Sequence, residues 1–152
     1  MARQSQSFDA DEALLAGLLL DIGTLPLLEK ATRYVELIKD ESAMNTLLNK
    51  YSANLGATVL RHWKMPAYFQ DVTRNRENWH YIHQGKSDLV DLILLARLHS
   101  YVGTPMMKAL PRINEIPAFF KLDLGELTPH QSYHFIEEAS ETIKETQRSL
   151  AG

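Results

Sequence analysis

An all-α fold is predicted by three observations. Helix-capping residues recur just ahead of apolar blocks, as at Asp9 with Glu12 and at Thr128 with Gln131. Apolar residues return at helical spacing, as Leu55, Val59 and Trp63 do at i, i+4 and i+8. No stretch of useful length alternates with the period of two that a half-buried strand needs. A chain of 152 residues can bury one core. The expectation is a single domain over residues 1–152, an irregular bundle of about six to eight helices.

The elements follow in order. Asp9 and Glu12 start a helix near Ala10, and Asp21-Ile22-Gly23 ends it, with the glycine suited to a left-handed cap. Thr24 and Pro26 begin a second helix that runs to about Ala31, because proline is tolerated in a first turn. A short helix covers Tyr34 to Ile38, and Glu41 to Tyr51 reads as another. Ser52 is read as the N-cap of the next helix, whose face of Leu55, Val59 and Trp63 should be core. Met65-Pro66 breaks it and opens a helix over Ala67 to about Arg74. Residues 75–86 are polar and read as a loop.

Ser87 caps the following helix, with Asp88 and Asp91 in its first turn and Arg97 and His99 near its end. From Leu89 to Leu98 that helix is apolar nearly all round, which makes it the central, buried one. Gly103 to Pro117 holds three prolines and reads as a connection with a short helix around Met106 to Leu110. Pro129 then opens a terminal helix whose seam is Ile136, Ala139, Ile143, Thr146 and Leu150.

Composition narrows the chemistry. The net charge of -3 gives no electrostatic footprint for nucleic acid. The absence of cysteine removes disulfides, zinc-thiolate sites and thiol nucleophiles together, and fits a cytoplasmic location. The longest apolar run, Ala13 to Leu20, is far short of the ~20 residues of a membrane span. No Gly-x-Ser-x-Gly elbow, phosphate-cradling glycine loop or His-Glu-x-x-His pattern is present. His80 with His83 and His130 with His134 have spacings that a metal can use, but solvent-facing histidines are the simpler reading. Arg61, Lys64, Arg74 and Arg76, interleaved with Trp63, Tyr68 and Phe69, form a candidate binding surface. The alternative is a solvated basic face over core aromatics.

Two motifs carry a family resemblance. Ala16-Gly17-Leu18-Leu19-Leu20-Asp21-Ile22-Gly23 resembles the metal-binding turn of HD phosphohydrolases, with Leu20 where the histidine of a His-Asp pair belongs. Leu55 to Pro66, with Gly56, Trp63 and Pro66, resembles a segment of the HDOD branch, bacterial signalling domains related to those hydrolases. The resemblance spans roughly Asp9 to Gly103. It implies an HD-type helical bundle and identifies the vestigial metal-site positions as Leu20, Asp21 and Arg97, the last standing where the family has its closing aspartate. Ser52 and Arg76-Glu77 stand where the family often has further histidines. Gly56, Trp63 and Pro66 are read as packing residues. The family has a substantial helical section ahead of the first motif, so the chain reads as the C-terminal part of such a domain.

The functional expectation is a non-catalytic regulatory domain in signal transduction, acting through a protein partner or a neighbouring signalling domain. No catalytic residue, cofactor, metal or membrane contact is expected. An HD-type metal-dependent phosphohydrolase and a nucleotide or small-molecule pocket at the old active site are the alternatives. Leu14, Leu15, Leu18 and Leu19 cannot share one narrow stripe, so the first helix should be covered, by a second copy, a neighbouring domain or the terminal helix.

Overall fold

A computed structural model of the chain describes residues 8–122, and among these every regular element is helical. The helices are α1 (Ala10–Leu19), α2 (Thr24–Ala31), α3 (Val35–Lys39), α4 (Glu41–His62), α5 (Ala67–Arg74), α6 (Leu89–Ser100) and α7 (Pro117–Lys121). Two 3-10 turns, Pro105–Ala109 and Ile113–Glu115, lie between α6 and α7. The expected all-α bundle is therefore present. The terminal seam from Ile136 to Leu150 and the pair His130 and His134 lie outside the described residues.

Local chemistry explains most boundaries. Asp9 Oδ1 accepts the backbone N–H groups of Asp11 and Glu12, both at 2.9 Å, and so fixes the start of α1. Asp40 caps α4 through the Ala43 N–H at 2.9 Å. α6 starts one residue later than the Ser87 cap implied. Asp88 Oδ1 accepts the Asp91 N–H at 3.1 Å, and Asp91 Oδ2 accepts the Asp88 N–H at 3.0 Å, a reciprocal capping box.

α6 is the central helix that its sequence predicts. Leu89, Val90, Ile93 and Leu94 join Ala16 and Leu20 of the α1 end, Leu60 of α4, and Phe69 and Val72 of α5 in one core. Leu95 and Leu98 form a second core with Ile116, Ala118 and Phe119 around α7. Trp79 packs against both clusters. The polar stretch 75–86 therefore supplies the tryptophan that joins the two halves of the interior.

Three expectations are corrected. First, residues 41–62 form one helix, not two. No glycine-proline break lies at Tyr51-Ser52, and the buried Ser52 hydroxyl donates back to the Leu48 carbonyl inside the helix, not to a cap. Second, Trp63 is 54% exposed and is not core. The buried stripe of α4 is Ser52, Gly56, Ala57 and Leu60, about one residue round from Leu55, Val59 and Trp63. Trp63 is the C-cap, and beyond it Lys64 turns left-handed at φ 58°. The Met65 N–H then bonds the Leu60 carbonyl at 2.9 Å and the Lys64 N–H the Arg61 carbonyl at 3.0 Å, the Schellman pattern. Met65, not Trp63, folds back onto the core.

Third, Gly23 has φ -69° and is no left-handed cap. A Cβ there would lie 2.0 Å from the Ser52 carbonyl oxygen and 2.4 Å from the Gly56 nitrogen. A Cβ on Gly56 would in turn meet Thr73 Cγ2 at 2.6 Å and the Gly23 nitrogen at 3.1 Å. The two glycines of the two motifs are thus a single contact, backbone against backbone. That contact pins the α1–α2 turn on α4, and the turn carries Asp21.

Candidate functional site

Asp21 leaves the α1–α2 turn with its carboxylate between two arginines. Arg76, one residue beyond the α5 C-cap, bonds Asp21 Oδ1. Arg97, in α6, donates from Nη1 to Asp21 Oδ2 at 3.0 Å. Its Nη2 reaches Glu77 Oε1 at 3.1 Å, and Arg76 Nη2 lies 3.6 Å from the same oxygen. Two guanidinium groups and two carboxylates therefore close a formally neutral ring. The arginine side chains are 7% and 11% exposed, whereas Asp21 is 52% and Glu77 42% exposed. The cations are the buried partners and the carboxylates form the rim.

Burial works against the Arg97 charge, but the Asp21 hydrogen bond and charge, with Tyr101 and Glu77, outweigh it and raise its pKa. The guanidinium also lies 5.8 Å from the Tyr101 ring centroid. Arg97 Nε is buried without a hydrogen-bond partner among the described residues.

The sequence-derived positions divide clearly. Asp21 and Arg97 meet as an ion pair. Leu20 is core, 7% exposed. Arg76, placed in the candidate binding surface by its neighbours in sequence, is buried at 6% exposure and belongs to the Asp21 ring. Arg76 follows the α5 C-cap Asn75, and sequence proximity to the surface residue Arg74 does not reveal its burial. Arg74 pairs with Asp71 at 3.1 Å on the surface. Arg61 and Lys64 are exposed beside the exposed Trp63. Glu77, singled out in the sequence only through the family resemblance, joins Arg76 and Arg97 in space.

A second polar group joins residues that the sequence reading kept apart, His83 with Asp88 and Asp91. His83 is half-buried, unlike a solvent-facing histidine, and its Nε2 lies 2.8 Å from Asp91 Oδ2 and 3.5 Å from Asp88 Oδ2. The signal available in the sequence was two aspartates in the first turn of a helix with a histidine shortly before them. His80, its apparent partner by spacing, is exposed.

None of the curated proteins and none of the solved structures compared with this chain matches it. The HDOD domain family matches residues 1–79, which include the α1–α2 turn, the Gly23–Gly56 contact and both Arg76 and Glu77. With more than half of its length matched, the chain belongs to the HDOD domain family.

Proposed function

We propose that this HDOD domain is a non-catalytic regulatory module that acts in signal transduction through contact with another protein or domain, in the cytoplasm. The observation that carries the reading is the pairing of both Asp21 carboxylate oxygens with guanidinium groups. A divalent ion at an HD-type site needs several anionic or neutral ligands and one open position. The chain offers Asp21 and Glu77 there, each already neutralised, together with the alkyl side chain of Leu20 and two fixed positive charges. These residues do not fit the metal of that superfamily. An arginine ring replaces the ion as the link between the α1–α2 turn, the end of α5 and α6.

The interaction half of the proposal draws support from the apolar side chains that α1 to α3 leave in water. Leu14 is 64% and Leu18 73% exposed, and Leu25, Leu28, Val35 and Ile38 are exposed as well. Contiguous apolar patches beyond a few hundred Å² are uncommon on monomers and mark contact surfaces. No described helix is long and apolar enough to cross a membrane.

Two measurements test the reading. Hydrolysis of a generic phosphodiester in Mn²⁺ or Mg²⁺ should stay at background. Metal-dependent turnover that Asp21→Ala abolishes would restore the phosphohydrolase reading. Sedimentation at micromolar concentration should show a self-association that Leu14→Glu with Leu18→Glu removes, or association with a neighbouring domain in the full-length protein. A clean monomer with no such partner would overturn the interaction half.

A further inference from the structure

We propose that His83, Asp88 and Asp91 form a binding site for a first-row divalent cation of the zinc class, separate from the Asp21 ring. One ligand atom from each lies within 4.8 Å of the others. The group joins the loop after α5 to the first turn of α6, so a bound ion would clamp that loop onto the central helix.

The hydrogen bonding of His83 carries the argument. Its Nδ1 lies 3.1 Å from the Gln84 carbonyl oxygen, which can only accept, so Nδ1 holds a proton. In the neutral ring Nε2 then presents a lone pair, and that lone pair faces the Asp91 and Asp88 carboxylates. Lone pair against carboxylate is repulsive unless a cation lies between them. A second proton on the ring is one such cation, and a metal ion is the other. An Nδ1–H bonded to a backbone carbonyl is also the usual way a metal-binding histidine is oriented.

Asp91 supplies an independent observation. It is fully buried at 0% exposure, and its Oδ1 has no hydrogen-bond partner among the described residues. Its other oxygen already accepts from the Asp88 N–H at 3.0 Å. A buried carboxylate oxygen without a donor is costly, and an ion held by both oxygens of Asp91 would satisfy it. Around the group, the Tyr81 hydroxyl donates to Asp88 Oδ2 at 3.1 Å, and its ring stacks on His83 at 5.0 Å. Lys121 of α7 donates to the His83 carbonyl at 2.6 Å, which fixes the loop from the far side.

Nitrogen with two carboxylate oxygens suits zinc, cobalt(II) or manganese(II) better than calcium. Ligand bonds of ~2.0–2.1 Å in tetrahedral geometry put ligand atoms ~3.3–3.4 Å apart. The His83–Asp88 separation of 3.5 Å meets this, and the His83–Asp91 separation of 2.8 Å must open by about half an ångström. Water completes the shell.

The test is calorimetric titration of the chelator-treated full chain with zinc chloride alone, and its absorption spectrum with cobalt chloride. A one-to-one isotherm in the micromolar range is expected, with cobalt d–d bands of a four-coordinate nitrogen–oxygen site and a rise in melting temperature on loading. His83→Gln, which keeps a polar side chain, should weaken binding ~100-fold and remove the bands. The double variant His130→Gln with His134→Gln should bind as the wild type does. Binding that survives His83→Gln, or is lost in the double variant, would overturn the site. Absence of zinc binding in a folded wild-type chain would overturn it too and leave His83 as an imidazolium paired with two carboxylates. None of these outcomes bears on phosphodiester hydrolysis, so the regulatory reading stands or falls separately.

Discussion

Asp21→Asn isolates the charge of the ring while keeping its shape. The variant leaves Arg76 and Arg97, both nearly buried, sharing only Glu77. Unit charges ~4 Å apart interact by ~1 kcal/mol in water and ~4 kcal/mol at an effective dielectric of 20. Asp21 is half exposed, so each of its two pairs belongs near the lower part of that range, ~1–2 kcal/mol. Loss of both gives ~2–4 kcal/mol, in keeping with the ~3–5 kcal/mol for breaking a more deeply buried pair. At ~3 °C per kcal/mol for a chain of this size, the melting temperature should fall by ~6–12 °C. Urea unfolding read by circular dichroism measures the free energy directly, with an unchanged slope expected because the same surface is exposed. Combining the variant with Arg97→Gln should recover part of the loss, with a coupling of at least ~1 kcal/mol. A loss under ~1 kcal/mol, or strict additivity with Arg97→Gln, would show that solvent screens the ring and that it does not hold the turn in place.

Further outcomes follow from the packing. Gly23→Ala should destabilise the fold by ~3 kcal/mol or prevent folding, because its Cβ meets backbone atoms at 2.0 and 2.4 Å that cannot move aside. Gly56→Ala should cost less, ~1–3 kcal/mol, since its tightest contact is the Thr73 methyl group, and denaturant melts would rank the two. Trp63→Ala should change stability by under ~1 kcal/mol while Trp79→Ala costs ~3 kcal/mol, so equal effects in thermal melts would contradict the surface place of Trp63 and the core packing of Trp79. Lys64→Gly should stabilise by ~0.5–1 kcal/mol, since a left-handed residue other than glycine is strained by ~1–2 kcal/mol and glycine forfeits ~0.5–1 kcal/mol of chain entropy. A urea midpoint that does not rise would contradict the Schellman turn.

The sequence by itself determined the helical class, the central place of α6 and the starts of α1, α2 and α5, because capping, proline position and apolar periodicity act over three or four residues. Its resemblance to the HDOD family also drew attention to Leu20, Ser52, Arg76, Glu77 and Arg97. Tertiary structure decided what those residues do. Arg76 shares an apparent basic run with Arg74, and only the folded state shows that it is buried against Asp21 while Arg74 stays on the surface. The buried stripe of α4 was misplaced because its key residues are small. Periodicity arguments count large apolar side chains, whereas Ser52 and Gly56 are buried for the backbone of Gly23 that presses on them. The true partners of His83 stayed hidden for the same physical reason in another form. Its partners lie across a turn on the next helix, and charge complementarity between side chains leaves no periodic trace along the chain; distance and burial in the folded state alone bring an imidazole and two carboxylates together.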